Sequence, residues 1–223
     1  MLTRILEPEV MDTVEDAREY DEMDFVEVNT LFAKEAARLA TRSFGAGRML
    51  DLGAGTARIP ILIGQRLKKA RIVAVDLSKE MLKLGRVNVK RARLQNRIRL
   101  VCCDAKKLPY SDAAFEMVVS NSIVHHIPHP LAVFREIVRV AKPGAGLFIK
   151  DLLRPASLPE WRRLVQRYAG GCNDYQRKLF ADSLRAALSL KEVARLVEQV
   201  GLRGAAIHQV SDRHWTLEKK YDV

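Results

Sequence analysis

The stretch from Met49 to Arg58 constrains this chain more than any other. A short apolar run carrying Asp51 near its end meets Gly53-Ala54-Gly55 and then a segment able to start a helix. That order predicts a strand, a tight turn and a helix, and glycines one residue apart let the backbone approach a ligand more closely than a Cβ allows. Two further apolar runs end in the same way, Arg71–Asp76 in its own acid and Ile98–Cys103 just before Asp104. In an open α/β sheet these three acids fall together at the carboxyl edge, where such sheets bind ligands.

The rest of the chain extends the pattern. Phe115–Asn121 and Ala145–Lys150 read as a fourth and a fifth strand, the latter leading to Asp151. Between the strands the sequence predicts a helix from Thr56 to about Lys69 with Pro60 in its first turn, one from a Ser78 cap to about Leu94, and one from near Pro130 to a stop at Lys142-Pro143-Gly144. Upstream, Asp24–Phe44 carries apolar residues at helical spacing until Gly45-Ala46-Gly47. Residues 154 to 188 read as helical pieces over the sheet edge, and Ser189 with Glu192 forms a capping box for a helix through Gln199. Arg203–Val210 and His214–Tyr221 predict a closing antiparallel hairpin turned at Ser211-Asp212. The expected fold is α/β, a doubly wound, mostly parallel, seven-stranded Rossmann-like sheet. It forms a single domain over 1–223: an acidic N-terminal arm or lid and helix (1–44), a cofactor-binding core (45–151), a helical cap (152–189), and a closing helix and hairpin (190–223).

Charge is unevenly spread. The chain carries a formal +11, yet Glu7 to Glu27 holds ten acids against Arg18 alone, so an acidic arm precedes a strongly basic body. Lys79, Lys83, Arg86 and Lys90 form one basic stripe on a helix, read as a solvated face, with a nucleic-acid groove as the competing use. No run approaches the roughly 20 apolar residues of a membrane span, and an acidic start is unlike a secretory signal, so a cytoplasmic protein is expected. Cys102, Cys103 and Cys172 match no disulfide framework or zinc spacing, and no metal is assigned.

Taken together, these residues resemble the class I S-adenosylmethionine-dependent methyltransferases, and most closely the group that includes the ubiquinone/menaquinone-biosynthesis methyltransferases. The likeness lies in residues 51–58, 73–82, 102–127 and 131–149. It implies S-adenosyl-L-methionine as the cofactor. Asp51, Gly53 and Gly55 would then pass beneath the methionine moiety and hold its ammonium group. Asp76 would accept from both ribose hydroxyls, for which a carboxylate has two acceptor oxygens. The resemblance also places Leu77 and Met81 beside the adenine, Asp104 with Ala105 at its amino group, and Asn121 and Ser122 at the methionyl end.

The implied reaction is in-line transfer of the sulfonium methyl to an O, N, C or S nucleophile, with a small metabolite as the expected acceptor. Because that donor is already activated by its charge, the protein must chiefly align the acceptor and exclude water. His126 and His125 are the candidate bases, and Asp151, Arg154, Tyr168 and Tyr175 are weaker acceptor-site candidates. The alternatives are an RNA-binding protein or RNA methyltransferase using the basic body, and an NAD(P)-binding oxidoreductase. The second is disfavoured because Arg58 stands where the third glycine of GxGxxG belongs. The sequence identifies neither the acceptor nor the oligomeric state.

Overall fold

The computed structural model describes residues 2–7, 12–22, 25–40 and 44–221. In chain order its helices are α1 (Val14–Glu22), α2 (Val26–Leu39), α3 (Arg58–Arg66), α4 (Lys79–Arg91), α5 (Leu131–Val140), α6 (Leu158–Ala169), α7 (Asp174–Ala186) and α8 (Leu190–Gln199). The strands are β1 (Arg48–Leu52), β2 (Arg71–Asp76), β3 (Ile98–Cys102), β4 (Phe115–Asn121), β5 (Ala141–Leu152), β6 (Ala206–Ser211) and β7 (His214–Lys219). They form one sheet in the order β3-β2-β1-β4-β5-β7-β6; the first five are parallel, and β7 runs antiparallel to both β5 and β6.

The central strands are apolar throughout because both of their faces are covered. Alternate residues point to opposite sides, so neighbours in sequence enter different cores. Leu50, Leu52 and Val118 pack with Phe134 and Ile137 of α5, Val193 of α8 and Trp215, whereas Met49, Ile72 and Met117 pack with Phe32 of α2, Ile63 of α3 and Phe148. Caps fix two helices where the sequence predicts them. Ser78 Oγ accepts from the Met81 N–H at 3.1 Å, and Ser189 with Glu192 forms a reciprocal capping box. Such a cap stabilises a helix by about 1 kcal/mol.

Some boundaries differ from the sequence reading. Lys142-Pro143-Gly144 does not follow a helix that reaches it; α5 ends at Val140 and the three residues lie inside β5. Ala141 pairs with Phe115 and Gly146 with Met117, so a bulge absorbs the extra residues. Pro143 is tolerated there because a bulged residue need not donate to the ladder. The α3 helix starts at Arg58 rather than Thr56, since Ala57 takes a left-handed backbone, and α4 stops three residues early, with Arg93 left-handed beyond it. The closing hairpin turns at Asp212-Arg213. The expected helix over Asp24–Phe44 is α2, and Asp24 and residues 41–43 lie outside the described residues. No described helix is long and apolar enough to cross a membrane.

Candidate active site at the carboxyl edge of the sheet

The glycine turn after β1 is held by β2. The N–H groups of Gly53 and Ala54 both donate to the Val75 carbonyl, at 2.8 and 2.9 Å. Gly53 and Gly55 have left-handed backbones, with φ of +73° and +52°. They are not equivalent, however. A Cβ on Gly53 would lie 1.9 Å from Ile123 Cγ2, in the turn after β4, while one on Gly55 would meet only Tyr20 Cε1 at 3.5 Å. One glycine is required for packing as well as conformation, the other for conformation alone.

The three strand-end acids are in three states. Asp51 is buried at 2% exposure, and its Oδ2 has no hydrogen-bond partner among the described residues. Burial, and then the charge of Asp76, push its carboxyl well above the usual range. Asp76 accepts from the Gly55 N–H through Oδ2 (2.8 Å) and from the Ser78 N–H through Oδ1 (2.9 Å). Burial raises its pKa, partly offset by the Ser78, Gly55 and Leu77 amides. Asp104 is more exposed; its Oδ1 accepts from the Lys106 N–H at 2.8 Å and lies 3.2 Å from Lys106 Nζ.

A cavity of about 120 Å³ lies above this edge, and its wall contains Gly53, Gly55, Asp76, Leu77, Met81, Asp104, Ala105, Asn121 and Ser122. Every cofactor-binding residue expected from the sequence is thus brought to one place, Asp51 lying buried at the end of β1 next to the turn. The set fits S-adenosylmethionine: a buried carboxylate oxygen without a partner suits a cation, glycine backbone gives close approach, and Asp76 offers two acceptor oxygens. Residues the sequence reading missed also line the wall, namely Cys103, Ile123 and Ile127. The two isoleucines follow the apolar pattern of any core, and burial holds the Cys103 thiol protonated, its pKa pushed up to about 11. A larger cavity of about 370 Å³ shares Tyr20, Gly53 and Asn121 with the first and is bordered by Phe25, Ile59 and Leu62.

The candidate bases separate. His126 lines the smaller cavity, with its Nδ1 3.2 Å from Glu7 Oε1. His125 is buried, and its Nδ1 meets Asp151 Oδ1 at 2.5 Å. Burial lowers the His125 pKa, but the Asp151 carboxylate outweighs it and the net shift is upward; burial likewise raises Asp151, and His125 with two backbone amides brings it below the usual range. Those amides are of Val124 and Leu152, each 2.6 Å from the carboxylate. Asp151 therefore fixes the turn that carries both histidines.

Three of the weaker acceptor candidates have structural contacts instead. Asp151 is committed to that turn. Arg154 is buried and grips both carboxylate oxygens of Glu192 at 2.8 Å, with Ala187 O at 3.0 Å. The Tyr168 hydroxyl donates to Asp212 at 2.9 Å, and the Arg213 guanidinium stacks 3.3 Å from its ring centroid. Tyr175 is 42% exposed. All four residues of the basic stripe, Lys79, Lys83, Arg86 and Lys90, are exposed on α4.

The acidic arm folds onto the body. Asp21 of α1 receives the Arg58 guanidinium through two bonds of 2.9 Å and the Asn88 amide at 3.2 Å, and the Lys79 N–H donates to Asp12 at 3.1 Å. Tyr20 stacks with Phe25, ring centroids 5.3 Å apart, and stands against Gly55. Burial, followed by Asp76, Asp51 and Asp21, pushes its hydroxyl up to about 12. Farther upstream, Arg4 donates to the carbonyls of Ala186, Pro128, His125 and Ile127. It thereby lays residues 2–7 beside the histidine turn, although Glu7 looks in the sequence like any other acid of the arm.

Comparison with known proteins agrees with this geometry. A family model described as a methyltransferase domain matches residues 50–149, the span from β1 into β5. Demethylmenaquinone methyltransferase of Listeria welshimeri is 31% identical over 180 residues, 79% of this chain and 75% of that one. The corresponding enzyme of Porphyromonas gingivalis is 28% identical over 179 residues, 75% and 73% of the two chains. Two solved structures described as S-adenosylmethionine-dependent methyltransferases share the fold. That from Methanococcus maripaludis has a TM-score of 0.72 at 21% identity over 98% of both chains. That from Aquifex aeolicus has 0.65 at 18% identity over 94% and 99%. With the glycine turn, the acid-ended strands and the methyltransferase match falling on the same residues, the chain belongs to the class I S-adenosylmethionine-dependent methyltransferases, in the group that contains the demethylmenaquinone methyltransferases.

Proposed function

We propose that the acceptor is a small quinol-type ring and that His126 takes its proton. The observation that carries the acceptor class is the larger cavity; His126 lines the smaller one, so the reacting oxygen would have to lie where the two cavities meet. Its volume of about 370 Å³ falls in the range of small-molecule sites, about 300–1,000 Å³. It is walled by Phe25, Val26, Ile59, Ile61 and Leu62, with the side-chain amides of Asn29 and Gln65 among them, and it meets the cofactor cavity at Tyr20, Gly53 and Asn121. Apolar walls interspersed with amides and with the charged Asp21, Arg58 and Arg91 suit a flat aromatic ring bearing oxygens. The named activity of the Listeria welshimeri relative, on demethylmenaquinone, supports the same class of acceptor.

When bound, S-adenosylmethionine supplies a methyl group already activated by its sulfonium charge. Asp51 and the two glycines would hold the amino-acid end, Asp76 the ribose, and Leu77, Met81, Asp104 and Ala105 the adenine. The α1 helix and Tyr20 would exclude water as a lid. A quinol hydroxyl, like a phenol, titrates near about 10, so its ring becomes a good nucleophile only as the proton leaves. On His126, Glu7 Oε1 lies 3.2 Å from Nδ1 without hydrogen-bond geometry, and Nε2 would be the nitrogen that takes the proton.

The test is transfer of labelled methyl from S-adenosylmethionine to a reduced short-chain demethylmenaquinone, with a total-RNA fraction in parallel. Label in the quinol is expected. Label in the RNA, or none in the quinol from protein that binds the cofactor, refutes the assignment. His126→Ala should lose turnover while cofactor affinity holds; unchanged turnover removes the base role.

A further inference from the structure

Glu7, His125 and His126 bring together three ligand atoms of the kind transition metals take, from parts of the chain more than a hundred residues apart. From Glu7 Oε1 it is 3.5 Å to His125 Nε2 and 3.2 Å to His126 Nδ1, and all three atoms lie within 4.8 Å of one another. A zinc ion bound at about 2.0–2.2 Å to two ligands subtending a tetrahedral angle sets those ligands about 3.3–3.6 Å apart. Both distances from Glu7 are close to that, and the two nitrogens, within 4.8 Å of each other, would close to the same spacing on binding. We infer that Glu7, His125 and His126 form a binding site for one divalent transition-metal ion, Zn²⁺ or a similar borderline cation, at the rim of the methyl-transfer cavity.

The surroundings favour a site over a chance cluster. The side chains of Glu7 and His125 are 6% and 4% exposed, so the carboxylate has been taken from water to face two imidazoles. His125 presents Nε2 because Asp151 occupies Nδ1. A carboxylate behind the far nitrogen of a histidine ligand fixes its tautomer and orientation and raises its basicity, as in many zinc sites. Asp151 is itself held by the Val124 and Leu152 amides, which makes the support rigid. Two histidines and one carboxylate suit zinc and its neighbours rather than magnesium or calcium, and three protein ligands leave a further position open to water or to an acceptor oxygen. Glu7 reaches the site because Arg4 and Ile5 are pinned to the chain's own carbonyls.

Binding has a consequence that rests on the base role proposed for His126. A metal on Nδ1 leaves the hydrogen of the neutral ring on Nε2, so that nitrogen no longer accepts a proton. The metal-loaded protein should then be a poorer methyltransferase at saturating cofactor.

The experiment uses the full chain without a polyhistidine tag. Zn²⁺ affinity is read by competition with a chromophoric chelator, and Co²⁺ is added as a spectroscopic probe. One equivalent is expected to bind at micromolar Kd or tighter, with protons released because the ligands bind deprotonated. Glu7→Gln and His126→Ala should each weaken it at least tenfold, and Asp151→Asn about 10–100-fold. The variants are compared only where circular dichroism and S-adenosylmethionine binding match the parent. Stoichiometric binding that survives both Glu7→Gln and His126→Ala overturns the site, as does the absence of one-to-one binding. So does a sulfur-to-cobalt charge-transfer band that disappears in Cys102→Ser/Cys103→Ser, which would place the ion on thiolates. Binding at the three residues with turnover unaffected upholds the site and removes the base role of His126.

Discussion

Replacing Gly53 with alanine separates a glycine needed for packing from one needed only for its conformation. At φ +73° an L-residue is strained by about 1–2 kcal/mol. The new Cβ also falls 1.9 Å from Ile123 Cγ2, a distance no packed methyl tolerates, so the turn after β4 must move. Overpacking of this kind costs about 1–3 kcal/mol, giving about 2–5 kcal/mol for Gly53→Ala. Gly55→Ala meets its neighbour at 3.5 Å and carries only the strain, about 1–2 kcal/mol. For a chain of this size 1 kcal/mol is about 2–4 °C in Tm, so Gly53→Ala should melt roughly 10 °C below the parent and Gly55→Ala within about 8 °C of it. Truncating the obstacle provides a cycle. Ile123→Ala removes Cγ2, and Gly53→Ala/Ile123→Ala should be less destabilised than the sum of the single variants by about 1–3 kcal/mol. Thermal unfolding of the four proteins measures this directly. Equal losses for the two glycine variants, or additivity with Ile123→Ala, would refute the argument.

Asp76→Asn removes a charge-assisted acceptor worth about 1.5–3 kcal/mol and should raise the S-adenosylmethionine Kd by about 10–150-fold in calorimetry. Asp51→Asn should raise the Tm of the ligand-free protein while reducing the stabilisation that the cofactor confers. Arg58→Ala opens the two-bond contact to Asp21; half-exposed pairs are worth about 0.5–1 kcal/mol, so global Tm should hardly change while amides 14–22 exchange faster, and salt should mimic the effect on the parent. His214 is pushed down to about 3 by burial, then by the Lys150 and Arg213 charges, against smaller opposing effects of Asp151 and Asp212. Its folded pKa lies below the unfolded value of about 6.5. The unfolded chain therefore binds the proton first, and stability present above about pH 6.5 falls as pH drops towards 3, by at most about 5 kcal/mol. His214→Gln should flatten the loss between pH 6 and 4 in urea titrations.

The sheet was legible because its signals are local and repeated. A buried parallel strand must be apolar on both faces, and Arg71–Asp76 or Phe115–Asn121 cannot be read otherwise. The capping serines were legible too, since a hydroxyl three residues before its amide is a property of the chain alone. Strand ends were less so. The Lys142-Pro143-Gly144 segment reads as a helix stop, yet a bulge facing Phe115 and Met117 lets it run within β5, and a bulge depends on the partner strand. The same distinction divides the site. Asp51, Asp76 and the glycines announce themselves by spacing, whereas Arg154 reads as one arginine among many until Glu192 is placed opposite it. Glu7 is invisible in an arm of ten acids; it is singled out only by the way Arg4 and Ile5 bring it to two histidines near the middle of the chain.

The behaviour expected of Asp51→Asn follows from what a buried acid costs. Asp51 is almost wholly removed from water, with Asp76 as its charged neighbour and one oxygen unbonded among the described residues. An acid so placed destabilises the ligand-free protein, because at neutral pH it must either keep a buried charge beside Asp76 or take up a proton. An isosteric amide removes the charge, which is why the ligand-free variant should be the more stable. A cation bound beside Asp51 has the same effect by opposite means, restoring a partner to the oxygen and offsetting Asp76. The acid that weakens the empty fold is then what makes the site select a positively charged ligand over a neutral one of similar shape, a trade of stability for function at a single residue. The nearby Tyr20 hydroxyl, pushed up to about 12, stays protonated and adds no negative charge. In Asp51→Asn the Tm shift on adding S-adenosylmethionine should fall towards that of its neutral analogues. A shift equal to the parent's would mean that Asp51 serves only to shape the turn after β1.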